Sequence, residues 1–191
     1  MAGFVDEFMK SMGPEVSRQM SKNLGVNKRT AMQIIPQIAP LILGGLQKQK
    51  ASKGEARVDH ILNKYGSASV LDDISGLFSQ KAQDEKADPK LGGLLGDSGV
   101  QASNMMQNKF KLDGGTAMKI IPMLAPVILG FLTKKRDTDG LGSSGVASLI
   151  DQDGDGQILD DIAGMFLQNM GGSQSGGGLG GLLGSLLGRR R

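Results

Sequence analysis

The sequence predicts an all-α protein, built as a tandem repeat of two small helical units with a flexible, Gly-rich C-terminal tail. Three observations indicate this fold class. Apolar residues recur at helical spacing, and no stretch shows the sustained apolar/polar alternation of a strand. A 17-residue segment occurs twice, with 12 identical positions at an offset of 86 residues. Gly accounts for 30 of the 191 residues, about twice the usual share, and nine of these follow residue 170.

The first repeat, residues 1–80, is expected to begin with two helices. They span residues 3–11 and 14–24, and the second is stopped by Gly25. Asn27 is then the expected N-cap of the next helix.

The long apolar segment over residues 30–50 also has helical spacing. Because Pro36 and Pro40 each lack a backbone donor and crowd the preceding turn, we expect a break near residues 37–40. The segment then forms a short helix and a second helix with Pro40 in its first turn. Two further helices complete the repeat, at residues 57–65 and after Asp72.

A second copy of the unit is predicted over residues 91–170, after a polar linker at residues 81–90. The repeated 17-residue segment occupies residues 30–46 in the first copy and residues 116–132 in the second. A period this long indicates two copies of one helical unit rather than a solenoid.

A shorter match pairs residues 70–78 with residues 158–166 at an offset of 88, so the second repeat carries two extra residues between its motifs. After it comes a tail, residues 171–191, which is rich in Gly and Leu and ends in three Arg. Its composition predicts flexibility.

Composition excludes several function classes. The chain has no Cys, which removes disulfides, thiol nucleophiles and Cys-ligated zinc. Its net charge of +3 equals the three Arg at residues 189–191, so the body of the chain has no obvious nucleic-acid footprint. His60 is the only His and has no Cys or Ser-His-Asp pattern around it. We therefore expect a protein that is not an enzyme.

Residues 151–162 carry the pattern of an EF-hand calcium loop. Asp151, Asp153 and Asp155 stand at loop positions 1, 3 and 5, and Gly156 at position 6 permits the sharp turn. Ca²⁺ takes six to eight oxygen ligands, and alternate carboxylates on a tight loop converge to supply three of them. Gln157, at position 7, would add its backbone carbonyl. The sequence thus predicts a Ca²⁺ site, with an Asp- and Gly-rich surface turn as the alternative.

The end of this loop departs from the EF-hand pattern. Position 12, usually acidic, is Ile162, and the nearest carboxylates are Asp160 and Asp161. Asp161 closes the site if the outgoing helix begins one residue early. The alternative role for both is helix N-capping, because the same Leu-Asp-Asp motif occurs in the first repeat at residues 71–73.

The first repeat serves as a comparison for the metal site. Its residues at the three loop positions are Asn63, Tyr65 and Ser67 in place of three Asp. We therefore expect no metal, or only weak binding, in the first repeat.

Two other functions stay open as alternatives. The first is nucleic-acid binding through the Lys/Arg clusters at residues 48–50 and 134–136 together with the Arg tail, although helix C-terminal charge complementation also explains these clusters. The second is association with a membrane surface through Leu and Gly at residues 179–188.

The N-terminal residues are acidic where a secretory signal is basic, and no apolar signal region follows them. We expect a cytoplasmic protein by default, with leaderless export as the alternative. The two longest apolar runs have 13 residues each, short of the roughly 20 that span a bilayer, so both are predicted to be buried core segments.

Three sets of motifs carry a family resemblance: the paired apolar motifs at residues 39–46 and 125–132, the Asp-Gly-Asp-Gly run at 153–156 and the Leu-Gly-Gly-Leu-Leu-Gly stretches. With these motifs the chain resembles the YidB-like bacterial family of unknown function, domain-of-unknown-function family 937. The resemblance implies an all-helical bacterial protein and brings no activity. From the residues we expect a non-enzymatic calcium-binding protein. In it the cation orders the second repeat and supports self-assembly or binding of a protein partner.

Overall fold

The computed structural model describes residues 3–140. Over this part of the chain it is all-helical, as predicted, with seven α-helices, one 3₁₀ helix and no strand. The elements are α1 (Phe4–Ser11), α2 (Gly13–Leu24), α3 (Lys28–Lys53), α4 (Glu55–Tyr65), the 3₁₀ helix Ala68–Leu71, α5 (Ile74–Ala82), α6 (Asp97–Phe110) and α7 (Gly114–Thr138).

The predicted helix ends of the first repeat are confirmed where local chemistry determines them. Gly25 closes α2 in the left-handed conformation, with φ of 67°, and its N–H donates to the Ser21 carbonyl. Asn27 caps α3, because its Oδ1 accepts the backbone N–H of Arg29 at 2.9 Å.

The predicted break near residues 37–40 is wrong. α3 is a single 26-residue helix that contains both Pro36 and Pro40. A Pro inside a helix costs about 3 kcal/mol through the missing hydrogen bond and the steric clash. Packing outweighs this cost, because α3 lies against α1, α2, α4, α6 and α7 and buries most of its apolar side chains.

α7 repeats these features at an offset of 86 residues. Pro122 and Pro126 lie inside it at the positions of Pro36 and Pro40. Asp113 takes the place of Asn27 as N-cap and accepts the N–H of Thr116 at 2.9 Å. Lys111 takes the place of Gly25 and has the same left-handed conformation, with φ of 55°.

The centre of the core is formed by α3 and α7, which pack against each other. α1 reaches α7 through aromatic contacts. The ring of Phe131 meets the rings of Phe4 and Phe8 edge to face, with centroids 5.5 and 5.4 Å apart. Each sequence repeat therefore supplies one of the two central helices.

A matching contact joins the second repeat to α3. Leu94 and Leu95, which precede α6, are buried beside Gly45. A Cβ on Gly45 would stand 2.8 Å from the carbonyl oxygen of Leu94. At an offset of 86, Gly45 corresponds to Phe131 and Leu94 to Phe8. The N-terminal part of each repeat thus packs on the central helix of the other repeat.

Among the described helices, α7 is long and apolar enough to cross a membrane by length and composition, and 67% of its apolar window is buried inside the protein. Core helices pass the same test. Its burial against α3, α4, α5 and α6 agrees with the predicted role as a core segment.

Removal of the Asp113 cap tests how α7 begins. The hydroxyl and the backbone N–H of Thr116 both donate to the Asp113 carboxylate and hold its pKa below the usual value. We expect Asp113→Ala to lower the free energy of unfolding by about 1 kcal/mol at pH 7. A depressed pKa stabilises the fold above the unfolded-state pKa, and this stabilisation is lost as the pH falls through the folded-state pKa. The cost of the substitution should therefore shrink at about pH 2.

Asn27→Ala is the matched control, because it removes the equivalent cap of α3 and an amide does not titrate in this range. Its cost should be the same at both pH values. Urea unfolding at the two pH values measures both variants. Equal pH dependence of the two costs would contradict this account of Asp113.

Candidate functional site

The predicted metal ligands lie outside the described residues, as does the tail at residues 171–191. These ligands are Asp151, Asp153, Asp155, Gln157, Asp160 and Asp161. The structure does describe the counterpart of the predicted loop in the first repeat. At the offset of 88, loop residues 151–162 correspond to residues 63–74. The geometry of that segment shows how the unit positions it.

Residues 63–74 connect two helices, so the first repeat contains a helix–loop–helix at this place. α4 ends at Tyr65, the 3₁₀ helix Ala68–Leu71 follows, and α5 begins at Ile74. The counterparts of loop positions 1 and 3, Asn63 and Tyr65, are exposed in the last turn of α4. The 3₁₀ helix was not predictable from the sequence, because its four residues are too few to show periodicity.

Uncharged hydroxyl groups order the loop. Ser67 is the N-cap of the 3₁₀ helix, and its Oγ accepts the backbone N–H of Ser69 at 3.4 Å. The two hydroxyls also hydrogen-bond to each other, with their oxygens 2.7 Å apart. Ser67 is the counterpart of Asp155, and Ser69 that of Gln157.

Helix capping by the Leu-Asp-Asp motif is confirmed for its second Asp. Asp73 is the N-cap of α5, and its Oδ1 accepts the N–H of Gly76 at 2.8 Å. Gly76 leaves room for the carboxylate, because a Cβ there would stand 2.1 Å from Asp73 Oδ2. Asp72 is exposed. The counterparts of Asp72, Asp73 and Gly76 are Asp160, Asp161 and Gly164.

The loop lies directly on α7, with backbone close to backbone. A Cβ on Gly66 would stand 2.6 Å from the Cβ of Leu129 and 2.8 Å from its carbonyl carbon. Ser67, the next residue of the loop, packs against Gly130, because a Cβ on Gly130 would stand 2.9 Å from the Ser67 carbonyl oxygen. Sequence reasoning missed these glycines. The signal was their recurrence, since Gly66 matches Gly154 and Gly130 matches Gly44.

Two of the three residues of the basic cluster at the end of α7 form ion pairs with other helices, and the third, Lys134, is exposed. Lys135 Nζ lies 2.5 Å from a Glu7 carboxylate oxygen, and Arg136 Nη1 lies 3.3 Å from Asp59. The side chain of Arg136 is only 15% exposed. These pairs tie α7 to α1 and α4, which leaves the cluster less available to bind phosphate.

In the first repeat, Lys50 pairs with Glu55 at 3.3 Å, and Lys48 is exposed. His60 is exposed on α4. Within residues 3–140 no group of three or more His, Cys, Asp or Glu side chains is placed to hold a metal ion. The predicted calcium ligands all lie in residues 151–161, outside this part of the chain.

A family model for bacterial proteins of unknown function, DUF937, matches the chain over residues 6–135. This confirms the family resemblance predicted from the sequence motifs. No curated protein and no solved structure shows significant similarity to the chain.

Proposed function

Since this chain belongs to the DUF937 family of bacterial proteins of unknown function, we propose a function from its own residues. It is a non-enzymatic calcium-binding protein built from two helical units, in which Ca²⁺ orders the loop at residues 151–162. The ordered second unit then supports assembly or the binding of a protein partner. One observation carries this proposal: the second repeat has Asp155 at the position where Ser67 caps the loop of the first repeat.

The two-unit architecture is supported by matched local chemistry. Pro, N-cap and left-handed positions recur at an offset of 86 in the α2–α3 and α6–α7 hairpins. Such agreement between two helix pairs goes beyond the identity of a single sequence motif. The helix–loop–helix at residues 55–82 is therefore the template for the second unit.

Charge separates the two loops. In the first repeat two neutral hydroxyls bond to each other, and that of Ser67 caps the 3₁₀ helix of the loop. In the second repeat Asp151, Asp153 and Asp155 bring three carboxylates into five residues. Like charges at this spacing repel one another unless a cation lies between them. Ca²⁺ removes the repulsion and supplies the ordering that Ser67 provides in the first repeat.

For the remaining acidic residues, Asp160 and Asp161, the first repeat suggests two different roles. Asp161 corresponds to Asp73, so its carboxylate caps the outgoing helix through the N–H of Gly164. Asp160 corresponds to the exposed Asp72 and is free to face the loop. The metal set we propose is thus the three loop Asp, the Gln157 carbonyl and Asp160, with Asp161 holding the helix that follows.

Thermal unfolding of the full chain with excess calcium and with a chelator tests the proposal. Calcium at a hundredfold excess over its Kd adds about 2.7 kcal/mol, which raises the Tm of a protein of this size by roughly 5–10 °C. Asp153→Asn, which keeps the side-chain shape and removes the charge, should abolish this shift.

Ser67→Ala is the matched control in the first repeat. It removes a neutral cap and should lower the Tm equally with calcium and with chelator. If the parent chain melts at the same temperature in both conditions, the calcium proposal is wrong.

A further inference from the structure

We propose that residues 154–166 dock on α3 at Leu43 and Gly44, as residues 66–78 dock on α7 at Leu129 and Gly130. The occupant is a segment of the same chain, and the docking surface is one face of a helix that the structure describes. This docking completes a pseudo-twofold arrangement in which each repeat packs its loop on the central helix of the other. Calcium orders the loop itself in the proposed function, whereas this docking on α3 is inferred from packing alone.

The contact of the loop with α7 has a strict steric requirement. Gly66 lies so close to Leu129, and Gly130 so close to the Ser67 carbonyl, that neither position accepts a Cβ without movement of backbone. The contact therefore needs a Gly at both positions, one on the loop and one on the helix.

The same residues recur where the proposal needs them. At the offset of 86, Leu129 and Gly130 correspond to Leu43 and Gly44 on α3. At the offset of 88, Gly66 corresponds to Gly154. All three identities are retained, although other positions around them differ between the repeats.

Another pair of reciprocal contacts, independent of the loop, is already present in the structure. α1 packs on α7 at Phe131, and residues 91–96 pack on α3 at Gly45. Phe131 and Gly45 are equivalent positions at the offset of 86. Phe131 directly follows Gly130, and Gly45 directly follows Gly44. Each central helix therefore already packs against the N-terminal segment of the other repeat, next to the Gly position that the loop contact uses.

Within residues 3–140, no element packs extensively on α3 as α5 and the 3₁₀ helix pack on α7. α7 packs against α5 and the 3₁₀ helix Ala68–Leu71, whereas the helices packed extensively on α3 are α1, α2, α4, α6 and α7. The chain can reach the site, because the second repeat has two more residues than the first before this segment. The path to α3 is thus at least as long as the path that already leads to α7.

Hydrogen exchange of the full chain, read by mass spectrometry in calcium and in chelator, tests the proposal. We expect residues 154–166 and residues 66–78 both to exchange slowly. Gly44→Val should speed exchange of 154–166 by about 10- to 100-fold, the factor that overpacking costs imply, and leave 66–78 protected. Gly130→Val is the matched control and should do the reverse.

Leu159→Ala provides a second test that leaves α3 intact. Its counterpart Leu71 has a methyl carbon 3.7 Å from the Cβ position of Gly130. The variant should release residues 154–166 alone. Rapid exchange of this segment in the parent chain, or exchange unaffected by Gly44→Val and Leu159→Ala, would overturn the proposal.

Two further outcomes are distinguishable. Protection that rises with protein concentration and accompanies a dimer in light scattering would assign the site on α3 to a second copy, which overturns docking within one chain. Docking that persists in chelator, without any calcium-dependent Tm shift, would support this inference while the proposed calcium function fails. A calcium-dependent Tm shift together with exchange of 154–166 that Gly44→Val leaves unchanged would support the calcium function and overturn docking on α3.

Discussion

Phe8→Ala should lower the free energy of unfolding by about 3–5 kcal/mol. Phe8 is fully buried, and its ring meets Phe131 edge to face at 5.4 Å and 80°. The substitution leaves a cavity between α1 and α7 and removes an aromatic pair that contributes about 0.5–1.5 kcal/mol beyond its buried area. Because small proteins unfold with only about 5–15 kcal/mol, the variant should be close to unfolding at room temperature.

Two substitutions separate the cavity from other effects. Phe8→Leu keeps most of the apolar volume and should cost well under half as much as Phe8→Ala. Met118→Ala removes an apolar side chain that is 43% exposed and should cost about 0.5 kcal/mol or less. Urea unfolding measures all three variants. A cost for Phe8→Ala no larger than that for Met118→Ala would show that α1 is not held on α7.

Helix ends were predictable from sequence wherever a single residue determines them. Gly25 and Asn27 act on backbone groups within a few residues, so their roles follow from local chemistry. Asp73 is a similar case, because its carboxylate meets the first turn of the helix that it precedes. These interactions require no knowledge of the rest of the fold.

The continuity of α3 was not predictable in this way. Pro36 and Pro40 indicate a break when only the local hydrogen bonds are considered. What keeps the helix intact is burial against five other helices, and burial depends on where the whole chain goes. The same applies to α7, where Pro122 and Pro126 lie in the protein core or at its edge.

The loop of the first repeat, the counterpart of the candidate site, was predictable only in part. The comparison of Asp155 with Ser67 follows from the repeat offset, but the capping role of Ser67 required the structure. The contact of Gly66 with Leu129 joins residues of different repeats. An internal repeat shows which residues are equivalent, and it does not show which ones touch across the two copies.

Gly66→Ala should destabilise the protein by about 3 kcal/mol, at the upper end of the usual cost of overpacking. Gly66 has φ of −121°, a value open to other residues, so backbone strain at Gly66 itself is not the cause. The cost comes from its neighbours, because the new Cβ would stand 2.6 Å from Leu129 Cβ and 2.9 Å from the Leu129 carbonyl oxygen. These atoms belong to the middle of α7 and cannot rotate away as the end of a flexible side chain can.

Gly114→Ala is the matched control for this substitution, and it should leave stability unchanged or raise it by up to about 1 kcal/mol. Gly114 opens α7, and a Cβ there would meet only the Gln107 side chain, at 3.5 Å or more. Since both variants add one methyl group, their difference isolates the close approach of the loop to the helix. Chemical denaturation of the two proteins gives this difference directly. Equal stabilities would mean that the loop of residues 66–73 can lift from α7 at little cost, whereas a large gap would show that this Gly holds the first repeat on the central helix of the second.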